Sequence, residues 1–423
     1  MIRILPSQLS EHRVRVPGSK SYTHRALIAS ALGEGLCTIA HPLFSQDTLL
    51  TAEALRCMGI GIERSEDAFG VTGKGGRIAS CDTPIDLVNS GTSMRLLTAV
   101  AALAEGPIVL SGNARMQQRP IDDLLGALHR LGIEAVSLNQ TGCPPVRIDG
   151  GPLRGGEVTI DCSRSSQFLS ALLLVAPCTQ EGLRIRVSGG LVSRPYIDMT
   201  LDVMEAFGIA YRREDDAFFI PGGQRYSRAS YEVEPDASNA GYFWAAAAIS
   251  RSRITVEGIS PASKQGDVRL VHVLKRMGCK VTSDTYGITV EGYAGLHGID
   301  VDMGDMPDLV PTLAVVASVA EGKTTIRNVS HLRIKESDRL QLTIDNLARM
   351  GIQAGTDGET LEIFGGSPHG AIIDTCDDHR MAMSFALVGL VTEGICIDDE
   401  GCVEKSFPTY WEVLQSMGVN IAA

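Results

Sequence analysis

Residues 338–352, DRLQLTIDNLARMGI, carry the pattern that decides the fold. An aspartate stands at the front, apolar residues recur at helical spacing, and a Met-Gly-Ile sequence ends the stretch. Asp is a frequent N-cap residue, and Gly is favoured where a helix ends in the left-handed conformation. The stretch therefore predicts an amphipathic helix that ends just before Gly351.

The same pattern occurs five more times along the chain. The stop glycines lie 67 to 76 residues apart, so a repeat of this size fills the 423 residues with six units. The other copies are DTLLTAEALRCMGI (47–60), DDLLGALHRLGI (122–133), DMTLDVMEAFGI (198–209), DVRLVHVLKRMGC (267–279) and TYWEVLQSMGV (409–419).

A second, nearly apolar stretch also occurs once per unit. Stretches that are apolar all round predict buried helices, and short β-rich runs separate them from the amphipathic helices. The predicted buried helices lie within 24–35, 90–106, 163–178, 236–250, 307–322 and 377–394. Each unit thus predicts strand, buried helix, strand, amphipathic helix, strand, strand.

A further glycine follows each of the first five stop glycines. We expect a turn at each of these glycines, and four of the five lie 14 residues downstream of the stop, a spacing that fits a two-stranded hairpin. They are Gly73, Gly150, Gly222, Gly292 and Gly365.

The two ends of the chain suggest how the units group into domains. The sixth unit stops soon after Gly418, whereas the N-terminus carries a surplus strand at Ile2–Leu5. We expect this strand to complete the C-terminal unit. Two α/β domains of three units follow, an inserted domain at 19–229 and a discontinuous domain at 1–18 with 230–423.

Composition excludes several classes of protein. The 38 Lys and Arg against 50 Asp and Glu give a net charge of −12, which disfavours nucleic-acid binding through bulk charge. The apolar stretches are shorter than a membrane span, and the N-terminus lacks the apolar core of a signal peptide. Ten cysteines show no CxxC or Cys/His ligand spacing, so neither a zinc site nor a disulfide framework is indicated. We expect a soluble, cytoplasmic protein.

The starts of the buried helices carry the chemistry. A helix N-terminus presents free N–H groups and about half a positive charge. Lys20, Arg25 and Arg380 add cations in these first turns, which is unfavourable unless an anion offsets them. The starts are Lys20-Ser21 with Arg25, Asn89-Ser90-Gly91-Thr92 with Arg95, Ser165-Ser166-Gln167, Asp236-Ala237-Ser238-Asn239, Asp308, and Asp378-His379-Arg380. If the starts of both domains face each other, they form a cleft that binds phosphates and carboxylates. We expect this cleft to close when the anion binds. The alternative is that Ser, Asp and Asn act only as helix caps.

Charged and polar residues also recur at equivalent loops before the amphipathic helices. Taken singly, each such run is more typical of a solvated face, but their matching places in a repeat favour function. The residues are Arg115 and Arg119; Ser193, Arg194 and Tyr196; the run 331–339; and Lys405.

At these residues the sequence resembles the 5-enolpyruvylshikimate-3-phosphate synthase family. The resemblance implies an inverse α/β barrel of two domains, built from six βαβαββ repeats. It also implies transfer of the enolpyruvyl group of phosphoenolpyruvate to the 5-hydroxyl of shikimate 3-phosphate. The motifs are PGSKSYTHRAL (17–27), NSGTSMRLL (89–97), RPIDDL (119–124), SSQFLSALLL (165–174), SRPYIDMT (193–200), DMPDLVPT (305–312), RIKESDRL (333–340) and DDHRMAMS (377–384).

The resemblance also implies a role for each site residue. The shikimate 3-phosphate set is Lys20, Ser21, Arg25, Ser165, Ser166, Gln167, Ser193, Tyr196, Asp308 and Lys335. The phosphoenolpyruvate set is Lys20, Gly91, Arg119, Gln167, Arg339, Arg380 and Lys405. Gly91 is expected to leave room for the ligand at a helix start.

Two carboxylates are candidates for the proton transfers. Asp308 is the candidate base for the 5-hydroxyl, and Glu336, assisted by Lys20, is the candidate acid for the methylene carbon. His379 is an alternative acid, although a structural role is favoured for it. The family resemblance implies no cofactor and no metal, and a monomer is expected.

Two alternatives are weaker. An enolpyruvyl transferase acting on UDP-N-acetylglucosamine shares the architecture, but it begins the first buried helix with Lys-Asn and carries a Cys before the RP motif. This chain has Lys20-Ser21, and SGNARMQQRP (111–120) contains no Cys. A non-catalytic repeat-built binding protein would need an extended basic stripe. Val88, Leu96 and His24 depart from the residues expected of the family, and we expect none of them to touch a catalytic group.

Overall fold

The computed structural model of the protein describes residues 1–422. These residues divide into two compact units. The inserted unit is Gly18–Glu234, and the discontinuous unit combines Met1–Pro17 with the chain from Pro235 onward. The strand Ser230–Glu232 pairs within the inserted unit, so the second boundary follows this strand and does not fall at 229–230.

The inserted unit contains six α-helices among its described residues. They are α1 Lys20–Leu32, α2 Gln46–Cys57, α3 Gly91–Ala101, α4 Asp122–Arg130, α5 Gln167–Val175 and α6 Pro195–Ala206. Its strands are β3 Glu34–Ala40, β4 Gly61–Arg64, β5 Ala68–Lys74, β6 Ile85–Asp86, β7 Pro107–Ser111, β8 Glu134–Ser137, β9 Val146–Asp149, β10 Gly156–Cys162, β11 Leu183–Leu191, β12 Arg212–Glu214, β13 Ala217–Ile220 and β14 Ser230–Glu232.

The described part of the discontinuous unit contains six α-helices as well. They are α7 Ala237–Ser250, α8 Leu270–Arg276, α9 Val310–Ser318, α10 Arg339–Arg349, α11 His379–Ala386 and α12 Tyr410–Ser416. Its strands are β1 Ile2–Leu5, β2 Glu11–Val14, β15 Arg253–Glu257, β16 Lys280–Ser283, β17 Gly287–Glu291, β18 Asp300–Asp302, β19 Lys323–Arg327, β20 Gln353–Thr356, β21 Leu361–Phe364, β22 Ile372–Ile373, β23 Ile395–Ile397 and β24 Asn420–Ala422.

All six sheets found in residues 1–422 share one topology, which confirms the predicted repeat. In four of the sheets the strand before the buried helix pairs parallel with the strand after it, as β6 does with β7, and in the other two a strand distant in sequence takes the first place. That second strand then pairs antiparallel with the fourth, and the third strand lies at the far edge, as in the order β6-β7-β9-β8. A right-handed crossover through a buried helix is the usual way to join such a parallel pair.

Three sheets are completed by strands that are distant in sequence. β1 lies between β23 and β24, with Ile4 opposite Ile395 on one side and Ile421 on the other. This confirms that the N-terminal strand completes the C-terminal unit. β2 pairs parallel with β15, and β14 pairs parallel with β3, so each of these strands also supplies the missing first strand of a repeat.

The six stop glycines end the amphipathic helices as predicted. Gly59, Gly132, Gly208, Gly278, Gly351 and Gly418 have φ angles between 77° and 113°. Any side chain in this left-handed region is disfavoured, which explains why glycine recurs there.

The two-stranded hairpin predicted after each of the first five stop glycines is confirmed, as β4 and β5 show, but the second glycine lies at the end of the hairpin's last strand and not at the turn between its strands. Gly73, for example, lies near the end of β5, whereas the turn between β4 and β5 lies at 65–67. A Cβ atom on Gly73 would collide with the backbone of Ser30 and Gly33, where the first buried helix ends. The glycine is required because a strand passes against a helix end, which spacing alone does not distinguish from a turn.

The buried helices form the centre of each unit. In the inserted unit α1, α3 and α5 contact one another, and in the discontinuous unit α9 contacts α7 and α11. Of the 14 residues of α7, 13 are buried, and each unit has its own continuous apolar core. Within residues 1–422, none of the helices combines the length and apolar content of a membrane span.

The close approach at Gly73 can be tested against a glycine of the same strand. Gly73→Ala is expected to lower the free energy of unfolding by about 1–3 kcal/mol more than Gly70→Ala, because overpacking against backbone is hard to relieve. At Gly70 the nearest atom to an added Cβ is a Leu36 methyl carbon at 3.7 Å, an ordinary contact. Urea unfolding followed by circular dichroism measures both variants, and equal midpoints would contradict the interpretation.

Candidate active site

The first helix of the inserted unit begins with a buried cation. Ser19 is the N-cap of α1, and Lys20, the first helical residue, is 9% exposed. Its Nζ atom lies 3.2 Å from Oδ2 of Asp47, a buried residue in the first turn of α2. The cation at this positive helix end therefore has a carboxylate of the same unit as its partner.

Arg25 connects three helices of the inserted unit. Its Nε donates to Thr200 Oγ1 at 2.8 Å, and Nη1 donates to the carbonyl of Ser21 at 2.9 Å. Nη2 donates to the carbonyl of Tyr196 at 3.1 Å and to Ser170 Oγ at 3.3 Å. Burial lowers the pKa of Arg25 to about 10. Arg25 thus fixes the backbone that carries two predicted site residues, Ser21 and Tyr196.

Gly91 and Arg119 are packed against each other. Nη1 of Arg119 donates to the backbone oxygen of Asn89 at 3.0 Å and to its side-chain oxygen at 3.1 Å. A Cβ atom on Gly91 would lie 2.6 Å from Cζ of Arg119. The room that we expected Gly91 to leave for a ligand is therefore taken by the Arg119 guanidinium, at the start of α3.

The start of α5 is tied to α3 through Gln167. The Gln167 side chain accepts a hydrogen bond from Nη1 of Arg95 at 2.9 Å and donates one to Thr92 Oγ1 at 3.0 Å. Ser165 Oγ accepts from the Gln167 backbone N–H at 3.3 Å. These bonds hold the predicted Ser165-Ser166-Gln167 group in one orientation relative to α3.

Ser193 lies just before α6 in a strained conformation. Its φ angle is 54°, in the left-handed region, and the residue is buried. Non-glycine residues held in this region cost of order 1–3 kcal/mol and cluster at functional sites. The strain supports the reading of Ser193 as a site residue.

Arg339 organises the discontinuous unit's predicted residues. It is 1% exposed, and its Nε and Nη2 bind both carboxylate oxygens of Asp378 at 2.8 and 3.2 Å. Nη1 lies 2.8 Å from Asp308 Oδ1, and Nη2 lies 2.7 Å from Glu336 Oε2. Burial alone lowers the pKa of Arg339, but the charges of Asp378, Glu336 and Asp308 outweigh it and raise the pKa above its ordinary value.

Asp308 lies between two guanidinium groups. Its Oδ1 accepts from Arg339, and its Oδ2 accepts from Nη2 of Arg380 at 2.7 Å. Nη1 of Arg380 donates to the hydroxyl of Tyr242 at 3.1 Å. Asp308 lies in the 3-10 turn Pro307–Leu309, directly before α9. The structure thus brings together Asp308, Glu336, Arg339 and Arg380, four residues that the sequence analysis selected.

Lys405 is also buried in this unit. It ends the 3-10 turn Gly401–Lys405, and Asn239 of α7 donates to the backbone oxygen of the next residue, Ser406, at 3.2 Å. Burial raises the pKa of Asp377, whereas the charge of Lys405 lowers it. Lys405 therefore contributes a positive potential to the loop before α11.

Lys335 follows the 3-10 turn Ser330–Ile334. Burial and the charge of Lys335 lower the pKa of His331 to about 3, while Asp308 acts in the opposite direction. His331 is therefore neutral and lies within the electrostatic range of two predicted site residues. His379 is fully buried in the first turn of α11, which agrees with the structural role favoured for it.

The start of α7 differs from the other helix starts. The side chain of Asp236 caps the first turn, and the Gln265 side chain accepts a hydrogen bond from the backbone N–H of Ala237 at 3.0 Å. Ser238 Oγ donates to the buried carboxyl group of Asp267. Side chains of the same unit therefore accept hydrogen bonds from N–H groups at this helix start.

Sequence reasoning missed several partners of the site residues. Asp47 was considered only as the front of a repeat, and Asp378 only as part of a helix start, although both bind buried cations. Asn89 was quoted as part of the α3 start without its bond to Arg119. Tyr242 stands within an apolar stretch, where the sequence gives no signal of a polar role.

Comparison with known proteins identifies the family of this chain. The family model described as EPSP synthase (3-phosphoshikimate 1-carboxyvinyltransferase) matches residues 6–414. The chain belongs to the EPSP synthase family.

Relatives and solved structures agree with this membership. A relative from Methanoculleus marisnigri, named 3-phosphoshikimate 1-carboxyvinyltransferase, is 45% identical over 405 residues, which are 95% of this chain and 96% of that protein. A relative of the same name from Syntrophobacter fumaroxidans is 42% identical over 409 residues, covering 96% of each chain. A solved EPSP synthase from Acinetobacter baumannii is 30% identical, with a TM-score of 0.83 over 99% of this chain and 98% of that chain.

Membership in the family confirms the predicted fold class, the two-domain inverse α/β barrel of six repeats. Val88, one of the departures from the expected family pattern, has a φ angle of 48°. A β-branched residue in the left-handed region is rare, which gives a physical reason for glycine at this place. Val88 therefore adds strain to the turn that leads into α3.

The packing of Gly91 against Arg119 predicts a coupled pair. Gly91→Ala is expected to lower the free energy of unfolding by about 1–3 kcal/mol, because its Cβ displaces a buried guanidinium. In an Arg119→Ala background most of this cost should disappear, since the colliding atoms are gone. Urea unfolding of the four proteins gives the coupling energy.

Gly126→Ala serves as the control for helix propensity. Gly126 lies inside α4, where an added Cβ meets only an Arg130 nitrogen at 3.5 Å. This variant is expected to be neutral or stabilising. Additive effects of the Gly91 and Arg119 substitutions would contradict the packing interpretation.

Proposed function

We propose that this chain transfers the enolpyruvyl group of phosphoenolpyruvate to the 5-hydroxyl of shikimate 3-phosphate and releases phosphate. It is a 3-phosphoshikimate 1-carboxyvinyltransferase of aromatic amino-acid and chorismate biosynthesis. Family membership over residues 6–414 and the names of relatives at 45% and 42% identity support this function. Its substrates are small molecules.

The observation that carries the proposal is the cluster around Asp308. Asp308 forms ion pairs with both Arg339 and Arg380, and Arg339 also pairs with Glu336, in a largely buried setting. Arginine forks match the oxygens of phosphate and carboxylate groups, and phosphoenolpyruvate carries both. The cluster thus supplies cations for an anionic substrate beside groups that accept or donate protons.

The inserted unit supplies hydroxyl and amide groups for shikimate 3-phosphate. Helix starts and serine hydroxyls are suited to bind a phosphate. Arg25 fixes the local backbone through its hydrogen bonds to the carbonyl oxygens of Ser21 and Tyr196. The proposed set is Lys20, Ser21, Arg25, Ser165, Ser166, Gln167, Ser193 and Tyr196, with Asp308 and Lys335 from the discontinuous unit.

The residues proposed for phosphoenolpyruvate are chiefly basic. Arg119, Arg339, Arg380 and Lys405 are all buried, which strengthens their electrostatic interaction with an anion. The proposed set is Lys20, Gly91, Arg119, Gln167, Arg339, Arg380 and Lys405.

The proton transfers are assigned to the two carboxyl groups. In the addition step the 5-hydroxyl oxygen forms a bond to C2 of phosphoenolpyruvate, Asp308 takes the hydroxyl proton, and Glu336 gives a proton to C3, assisted by Lys20. In the elimination step C3 returns a proton, the double bond re-forms, and phosphate leaves with the electrons of its bond to C2. General acid and base groups of this kind contribute about 10²–10⁴-fold each.

We also propose that the chain acts as a monomer in the cytoplasm. Exposed large apolar side chains such as Leu36, Val136 and Phe364 lie on different sheets and do not belong to one common strand or hairpin. The ten cysteines are free thiols, which suits a reducing compartment. Light scattering at micromolar concentration is expected to give the monomer mass, and a dimer mass would overturn this assignment.

The reaction itself is tested by phosphate release from phosphoenolpyruvate. Shikimate 3-phosphate and UDP-N-acetylglucosamine are offered separately, and release is expected only with shikimate 3-phosphate. Release only with the nucleotide sugar would assign the chain to the other enolpyruvyl transferases. Folded protein that releases no phosphate with either acceptor would indicate a non-catalytic binding protein.

The roles of the carboxylates are tested by substitution. Asp308→Asn and Glu336→Gln are each expected to lower kcat by about 10²–10⁴-fold, because each removes one proton-transfer group. Asp305→Asn is the matched control, since Asp305 is close in sequence but pairs with the exposed Arg269. Retention of kcat in either test variant would remove that residue from its role.

A further inference from the structure

A buried carboxyl group lies at the start of α7 and has no role in the reaction described so far. Asp267 belongs to the 3-10 turn Gly266–Arg269 that leads into α8, and it is 5% exposed. Its Oδ2 accepts a hydrogen bond from Ser238 Oγ. Its Oδ1 is buried and has no hydrogen-bond partner among the described residues.

Contacts with one face of α7 bring Asp267 next to the cluster around Asp308. Ser238 of α7 holds Asp267, and Tyr242, one helical turn later on the same face, accepts a hydrogen bond from Arg380, which also donates to Asp308.

Charged groups act on Asp267 from three neighbouring segments. Asp236 acts from the start of α7, Asp308 from the turn before α9, and Arg380 from α11. On its own turn, Arg269 pairs instead with Asp305. Burial and the charge of Asp308 are the two main effects that raise the pKa of Asp267 to about 7, while Ser238 and Arg380 lower it.

We propose that Asp267 is a positioning residue for the transfer reaction, a buried carboxyl group whose negative charge opposes that of Asp308 and makes Asp308 a stronger base. The proposal rests on the proposed function, in which Asp308 takes the proton of the 5-hydroxyl. Asp267 does not touch the reacting atoms; it acts through Asp308.

The reasoning follows from the charges around Asp308. Arg339 and Arg380 both stabilise the negative form of Asp308, which weakens it as a base. A second negative charge nearby, in a medium of low dielectric, offsets part of this stabilisation. Because Asp267 titrates near neutral pH, the offset is present above pH 7 and absent well below it.

The pH dependence of kcat is the decisive measurement. At saturating substrates the wild-type kcat is expected to rise roughly 3- to 10-fold through an inflection near pH 7 as Asp267 becomes charged. Asp267→Asn should lose this inflection and keep the low kcat at pH 8, with little change in KM. Ionisations of the substrates occur equally with both proteins and cancel in the comparison.

Ser238→Ala gives a shift that a merely structural role would not produce. The Ser238 hydroxyl stabilises the charged form of Asp267, so its removal should move the inflection to higher pH. A profile of Asp267→Asn that has the wild-type shape, or a Ser238→Ala inflection that moves to lower pH, would overturn the proposal.

Unfolding measurements provide a second readout that does not depend on activity. In the folded protein Asp267 keeps its proton up to about pH 7, whereas in the unfolded chain it loses the proton near pH 4. Its contribution to stability is therefore fully present below pH 4 and is lost as the pH rises through 7. Asp267→Asn should gain in urea midpoint relative to wild type between pH 4 and pH 8, and a constant difference would contradict a buried, late-titrating Asp267.

The failure of this inference is distinguishable from failure of the proposed function. If Asp308→Asn keeps the wild-type kcat, the base assignment is wrong and Asp267 has no base to act on. If Asp308→Asn is inactive while Asp267→Asn and Ser238→Ala both keep the wild-type pH profile, only the role of Asp267 is wrong.

Discussion

The fold depends on strand pairing between segments that are far apart in sequence. β14 pairs with β3, β2 pairs with β15, and β1 enters between β23 and β24, so that all six described sheets reach the same four-stranded order. Helices that are apolar all round are stable only when every face is buried against other elements. The paired strands bury the helices. Burial of the helices then holds the segments at their N-termini in place, and the candidate site residues lie in these segments.

Burying cations at those turns imposes a second constraint. An unpaired buried charge costs several kcal/mol, and several of the central cations are accordingly held by carboxylates of their own unit. Lys20 pairs with Asp47, and Arg339 is held by Asp378, Asp308 and Glu336. In the proposed reaction Asp308 and Glu336 also carry protons. The same two side chains would then fix the arginines and perform the chemistry, so that their substitution alters charge and geometry together.

The sequence predicts those parts of the structure that follow from local patterns. The helical spacing and the stop glycines predicted twelve helices in six repeats, because amphipathicity and a left-handed C-cap leave a direct trace in the residues. Close approaches leave no such trace. Gly73 contacts a helix end more than 35 residues away, and Gly91 makes room for Arg119, so both roles became visible only in three dimensions. The partners Tyr242 and Asp267 were missed because neither their spacing nor their residue type distinguishes them from ordinary core and cap positions.

The repeat makes the six helix starts equivalent in position but not in chemistry. All six were expected to contribute to the anion cleft, but only five carry residues with a proposed role in binding or proton transfer, whereas α7 begins with groups that bind other parts of the same unit. Ser238 binds Asp267, Asn239 holds the backbone beside Lys405, and Tyr242, one turn later, binds Arg380. These contacts link α7 to the surroundings of the cluster around Asp308 and to the loop before α12. One of the six equivalent helix starts, that of α7, therefore carries no proposed substrate-binding group. Its side chains instead hold the groups of neighbouring segments in position.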